Sequence, residues 1–339
     1  MYLIEEFDEY SRSTTISDFP AMRYLVRNTD RFQFQGGHPG KGKDSRKENS
    51  RVLGQTISRY FIRYFLDTEY TANITDVLGK NLGANFGNVT VKRRTKGDTP
   101  DFISAGSSSN IFLTEAKGTR KFLSFSSQKF KEWRKQFSRV KILQDKTALS
   151  LKGYIIALCI ANENNKRELS NSKILAEDPR TYGEQEFQES KQLYDLVRNA
   201  HYKNILAKIG MSYIGESLLY PGKLPVESKF SFPVFRSKVF NVEFVGVFNR
   251  PNLGIRFPFY HDVRLVREVK ESSTFFLGIE KSVLLKLITL ARASNENAVD
   301  DTPITLGVER AFNNSAILFR DGSMFCHPQL VSFTGYQDF

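Results

Sequence analysis

TPDFISAGSSSNIFLTEAKGT, residues 99–119, is the stretch on which the fold turns. It reads as two short β segments, DFIS and NIFLTEAK, joined by a small-residue run, Gly106-Ser107-Ser108-Ser109-Asn110, that lets the chain reverse. Strand alternation sends Glu115 and Lys117 to one face and Ala116 to the other. An antiparallel pair brings Asp101, which follows Pro100, alongside Glu115. Two carboxylates and one lysine then converge at the end of a hairpin, the composition of a divalent-metal site with a cation beside it.

Those residue types suit phosphodiester hydrolysis. The reaction needs a nucleophilic water, stabilisation of charge on the phosphoryl oxygens and help for the leaving oxygen. Magnesium takes hard oxygen ligands at about 2.0–2.1 Å and keeps several waters, so one or two carboxylates suffice. Asp101 and Glu115 are the expected ligands, with the Ala116 carbonyl as a third. The Lys117 ammonium orients or helps to deprotonate the water, or balances developing negative charge.

Outward from this segment the chain supplies further elements in order. Leu53, Ile57, Tyr60, Phe61 and Tyr64 fall at helical spacing in RVLGQTISRYFIRYFLD, from Arg51. A Gly/Asn-rich loop leads to NVTVKRR, a strand expected over Asn88 to Arg94, ahead of DFIS and NIFLTEAK. Phe130, Trp133, Phe137 and Val140 mark a second helix with cations around its apolar stripe. LKGYIIALCIA, Leu151 to Ala161, is a nearly unbroken apolar run that suits a buried strand.

Pro100-Asp101, thirteen residues, then Glu115-Ala116-Lys117, set in the order helix, three strands, helix, strand, resembles the PD-(D/E)xK nuclease superfamily. The resemblance covers about residues 51–161. It implies a restriction-endonuclease-like core, a mixed central sheet flanked by helices, and a nuclease that uses Mg²⁺ or Mn²⁺. It also implies DNA ahead of RNA as substrate, and catalytic roles for Asp101, Glu115 and Lys117. Many members carry an extra acid on the first helix, where this chain has Gln55, a neutral oxygen ligand or water-positioning group. Glu48 lies seven residues earlier and shares its face if the helix starts sooner. Members also carry a Gln or Lys on the helix after the motif, which points to Gln136 ahead of Gln128. By analogy, such proteins serve as effectors of restriction or antiphage defence or in mobile-element processing, alone, as homodimers or with a partner protein. A non-catalytic nucleic-acid-binding component on the same scaffold is the alternative, and the missing helix acid is its support.

Charge agrees with a polyanionic partner. The chain holds 49 Lys and Arg against 37 Asp and Glu, a net +12, with 26 basic and 16 acidic residues in 1–150 but 23 and 21 in the remainder. Between Lys92 and Lys141 there are 13 basic and 4 acidic residues, two of the latter being Asp101 and Glu115. Nucleic-acid contacts are expected at Lys92, Arg93, Arg94, Arg120, Lys121 and Lys129. The other reading of Lys92-Arg93-Arg94 is protection of an edge strand.

At 339 residues, three segments are expected: an N-terminal cap and Gly/Lys-rich basic loop over 1–50, the nuclease-like domain over 51–221 and a β-rich accessory domain over 222–339. The last contains FSFPVF, VFNVEFVGVF, GIRFPF and VRLVREV, read as sandwich core, a helix near Lys281–Arg292, and AILFR-DG-SMFC, whose Asp321-Gly322 suits a type I′ turn. A polar loop over 162–183 and a long helical region to about Leu219 separate the two. No apolar run reaches membrane-spanning length and the N-terminus lacks signal-peptide regions, so no membrane role and a cytoplasmic location are expected. His38, His201, His261 and His327 show no ligand spacing, and His261-Asp262 reads as a surface pair. Gly79, Gly83 and Gly87 lack the setting of a phosphate loop. Cys159 and Cys326 form no metal-ligand pattern, and Cys159 is expected to be a reduced core residue.

Overall fold

The computed structural model describes residues 31–37, 39–40, 42–80, 82, 86–165, 171–179, 189–220, 224–249, 256–257, 275–293, 309–312 and 315–339. The expected cap over 1–30, His38, Gly83, the pair His261-Asp262 and the strand VRLVREV lie outside them. The chain divides into two compact units, one ending at Arg198 and the other beginning at Asn199.

In chain order the first unit contains β1 (Gln33–Phe34), α1 (Lys43–Phe65), β2 (Tyr70–Asn73), β3 (Thr90–Arg93), β4 (Phe102–Ser107), β5 (Asn110–Thr119), α2 (Gln128–Phe137), β6 (Val140–Gln144), β7 (Thr147–Leu149), β8 (Lys152–Cys159), β9 (Ala161–Asn162) and β10 (Lys173–Glu177). Five of these strands make a mixed central sheet in the order β10-β8-β5-β4-β2. Only β5 and β8 run parallel; the crossover between them carries α2.

Side-chain parity sorts this sheet into two faces. Ile155, Ala157 and Cys159 of β8 pack with Phe130 and Trp133 of α2. Phe102, Phe112, Ala116 and Ile156 pack instead with Ile62 of α1, and Leu158 packs with Val52 and Leu53. In the parallel pairing Glu115 lies beside Ile155 and Lys117 beside Ala157. Glu115 and Lys117 therefore share the sheet face that α2 covers, while Ala116 and Gly118 face α1.

Three expectations are corrected. NVTVKRR does form a strand, β3, but not in the central sheet. It pairs with β6, which pairs with β7, in a separate three-stranded sheet, and the first strand of the core is β2. Second, α2 ends at Phe137, and Val140, whose spacing continues the helical stripe, opens β6. The β6–β7 hairpin closes through Asp145 (φ 48°) and Lys146 (φ 71°), both left-handed as a type I′ turn demands. Third, α1 starts at Lys43 rather than Arg51, within the segment read as a loop. Its first turn is tied by a Gly42 N–H to Ser45 Oγ bond of 3.2 Å, and Asp44 sits at the positive end of the helix dipole. This turn buries little, so no apolar period announced it. The polar stretch over 162–183 also supplies β10, an edge strand paired antiparallel to β8. In the small sheet, Lys92 lies directly opposite Lys141, a cross-strand pairing of like charges that weakens the ladder.

A helix α3 (Lys191–Lys208) spans the junction between the units. Gly210, at φ 84°, ends the helical run before α4 (Ser212–Leu219). The second unit continues with β11 (Ser231–Ser237), β12 (Glu243–Asn249), β13 (Arg256–Phe257), β14 (Phe275–Glu280), α5 (Lys281–Arg292), β15 (Arg310–Phe312), β16 (Ala316–Leu318), β17 (Ser323–Cys326) and β18 (Val331–Asp338). These strands form one eight-stranded antiparallel sheet rather than a sandwich among the described residues. Phe235, Phe244, Phe248 and Phe276 cluster in it, and α5 packs against β12 and β14. The Asp321-Gly322 turn is not type I′, because only Gly322 (φ 79°) is left-handed. Instead Gly322 N–H bonds the Phe319 carbonyl at 3.0 Å. Asp321 is held inward, accepting from the Ser323 N–H at 2.9 Å and facing His201 Nε2 at 3.0 Å.

Candidate active site

The site is built at the point where β4 begins opposite the C-terminal half of β5. Asp101 follows the buried Pro100, and its carbonyl accepts the Ile74 N–H at 2.9 Å, which fixes the backbone as it enters β4. Its side chain crosses to β5, where Oδ2 accepts the Ala116 N–H at 2.9 Å. That bond brings the Asp101 carboxylate to the Lys117 side chain, which also meets Glu115. Lys117 Nζ lies 3.5 Å from Asp101 Oδ2 and forms an ion pair with Glu115 Oε1.

Glu115 is fully buried, whereas the Lys117 and Asp101 side chains keep 28% and 22% of their exposure. Lys117 is the charged partner of the buried Glu115 carboxyl, through the close contact of its Nζ with Oε1. Burial raises the Glu115 pKa well above the usual carboxylate value; the Asp101 charge adds to this and Lys117 opposes it. Burial pulls the Lys117 ammonium down, but the Asp101 and Glu115 carboxylates outweigh it and leave its pKa above the ordinary lysine value. One ammonium thus contacts two acidic side chains.

Gln55 arrives from α1. Its Nε2 donates to Asp101 Oδ1 at 3.4 Å and its Oε1 accepts from Arg51 Nη1 at 2.5 Å. An arginine has only donors, so the Gln55 oxygen must face Arg51 and the amide must face Asp101. Gln55 therefore meets the site as a donor, and its oxygen is already taken. Arg51 is held in turn by Glu48, through Nε–Oε2 at 3.0 Å and Nη2–Oε1 at 2.5 Å. The hydrogen bonds from Arg51 hold the Glu48 carboxyl below its usual range. Glu48 thus shares the Gln55 face, as an early helix start requires, but reaches the site only through Arg51 and Gln55.

The other expected residues fall into separate groups. Gln136 is buried on α2, which covers the face bearing Glu115, and its Oε1 has no hydrogen-bond partner. The described residues give it no bond to Asp101, Glu115 or Lys117. Gln128 is exposed and bonded to Glu132. Lys92, Arg93 and Arg94 are exposed on and after β3, and Arg93 donates to the Gly97 carbonyl. Arg120, just past β5, donates to the Gly37 carbonyl at 3.2 Å, and burial with the nearby Arg46 charge lowers its pKa. Lys121 and Lys129 are exposed.

Two glycines that position the site escaped the sequence reading. A Cβ on Gly54 would fall 2.3 Å from the Gly118 nitrogen, and one on Gly118 would fall 1.6 Å from the Ser50 carbonyl oxygen. Helix α1 therefore lies directly on β5, at the residue after Lys117, which is what brings Gln55 to Asp101. The signal was present: a glycine inside a helical pattern and another inside a strand pattern mark close backbone approach.

The donor set fits a hard divalent cation. Asp101 and Glu115 would hold it with the Ala116 carbonyl, and the convergence of two hard carboxyl groups beside Lys117 is the feature that favours it. Among the described residues no group of three or more His, Cys, Asp or Glu side chains comes together, so the protein offers two carboxylates. None of the described helices is long and apolar enough to cross a membrane. Comparisons with protein-family models, curated proteins and solved structures return no match.

Proposed function

We propose that this chain is a metal-dependent nuclease that hydrolyses phosphodiester bonds, with DNA ahead of RNA as substrate. The observation that carries the reading is the convergence of Asp101, the fully buried Glu115 and Lys117, in a strongly basic half of the chain. A Mg²⁺ or Mn²⁺ held by Asp101, Glu115 and the Ala116 carbonyl would supply Lewis acidity and a more acidic water. Lys117, with its pKa raised, remains an ammonium at neutral pH, so it orients water and stabilises charge on the phosphoryl oxygens rather than accepting a proton. Asp101 is fixed by the Ala116 N–H on one oxygen and by Gln55 on the other, which limits its motion during the reaction. By analogy with the superfamily, the setting would be restriction or antiphage defence.

The test is cleavage of supercoiled plasmid with Mg²⁺ or Mn²⁺, beside Asp101→Asn and an EDTA control. Cutting that requires both the metal and Asp101 supports the reading, and cutting that survives EDTA sinks it. A second reading, a non-catalytic nucleic-acid-binding scaffold, is favoured by one observation: the helix position where an acid is expected holds Gln55, whose oxygen is occupied by Arg51. It predicts no stabilisation by divalent metal in a thermal melt.

A further inference from the structure

The three-stranded sheet borders a half-open cleft of about 420 Å³ between the end of α2, the β6–β7 hairpin and β5. Leu113, Phe137, Leu149 and Leu151 give it apolar walls, and Arg94 and Lys141 stand among its lining residues. Arg134 also reaches the lining, but it is paired with Glu177. Among the described residues Arg94 and Lys141 have no acidic partner. Phe137 is held in place by Gly153, whose absent Cβ would fall 2.7 Å from the ring. Leu113 lies two residues before Glu115, on the same face of β5, so the cavity opens about 7 Å along the strand from the proposed metal ligand.

A cavity of this volume is in the range of small-molecule sites. Its walls offer an aromatic ring and aliphatic side chains, and its cations are unpaired. A purely apolar ligand leaves Arg94 and Lys141 without purpose, and a bare phosphate leaves the apolar walls in contact with water. A nucleotide satisfies both, with its base against Phe137 and the leucines and its phosphates against the cations. A base paired in a duplex cannot enter such a cavity without leaving the stack.

We infer that this cavity is a nucleotide subsite that receives an unpaired base next to the cleavage point, so that the preferred substrate is single-stranded or locally unpaired nucleic acid. The inference rests on the nuclease reading only for the words "cleavage point"; binding of the base stands without it.

The test is equilibrium binding of fluorescein-labelled oligonucleotides to the full chain carrying Asp101→Asn, in EDTA, where cleavage plays no part. A single strand should bind at least tenfold more tightly than its duplex at the same salt. Arg94→Ala with Lys141→Ala, both exposed positions, should weaken single-strand binding about tenfold and reduce the salt slope by about 1.4. Leu149→Asp should weaken it similarly, with an unchanged melting cooperativity confirming that the variant is folded. A single strand made entirely of abasic nucleotides, which changes the ligand and not the protein, should lose the same affinity. Equal or tighter duplex binding overturns the inference, as does an abasic strand that binds like the intact one. Single-strand preference in a protein that never cuts upholds the subsite while removing the nuclease reading. Metal-dependent cutting of duplex without single-strand preference does the reverse.

Discussion

Gly54 of α1 and Gly118 of β5 meet backbone to backbone, with room for no side-chain atom on either. The contact sets the height of the helix above the sheet, and with it the reach of Gln55 to Asp101. Gly118→Ala would drive the helix away and is expected to destabilise the fold by at least about 1–3 kcal/mol, the usual cost of overpacking. Urea unfolding of the variant measures this. A variant as stable as the parent would mean that α1 does not rest on β5 as described.

Asp101 has two duties, and substitutions separate them. Asp101→Ala leaves the buried Ala116 N–H without an acceptor and should cost about 1–3 kcal/mol as well as activity. Asp101→Asn keeps a carbonyl oxygen for that N–H, so it should abolish metal-dependent cutting with little loss of stability. Paired melts and plasmid assays of the two variants check the split; equal stability of both would show that the Ala116 bond contributes nothing.

Glu115 gives a pH signature in metal-free protein. Its folded pKa is raised, so it holds its proton more tightly folded than unfolded. The stability it contributes is complete below the ordinary value of 4.5 and is lost as pH rises through the elevated folded value. Glu115→Gln removes this dependence. Melting temperatures in EDTA should therefore favour the variant increasingly as pH rises above 4.5. Divalent metal should then close the gap by stabilising the parent alone. A gap that shrinks with rising pH would reverse the sign and refute the burial account.

Arg51 fixes which way the Gln55 amide points. Arg51→Ala should lower metal affinity or cleavage about 10–100-fold, the range seen when a group supporting a ligand is removed. Arg51→Lys should fail to restore it, because an ammonium cannot hold Glu48 through a fork while also reaching Gln55. Isothermal titration with Mn²⁺ reads the effect directly, and full recovery by lysine would dismiss the oriented amide.

The convergence of Asp101, Glu115 and Lys117 was legible because strand periodicity is strict: Glu115 and Lys117 must share a face, and Pro100-Asp101 enters the neighbouring strand beside them. The amphipathic period gave α1 and α2, and the apolar run gave β8. What escaped had weak local signals. β2 and β10 are four and five residues long, with no clean alternation. The hairpin after α2 was hidden because Val140 continues the helical stripe and because its turn uses Asp145 and Lys146 in place of Asn-Gly. The Arg51–Gln55 link needs the true helix start at Lys43, which polar residues concealed. The glycine contact between α1 and β5 is a tertiary event whose residues are visible in the sequence but whose partner is not.

Lys92 facing Lys141 across β3 and β6 gives the small sheet a built-in electrical strain. At low ionic strength the like charges disfavour the pairing, and screening by salt removes that penalty. If the chain binds nucleic acid as proposed, this pair becomes a reporter of occupancy. Amide exchange in β3 and β6 should slow when nucleic acid arrives and respond to ionic strength when it is absent, independently of any bond being cut.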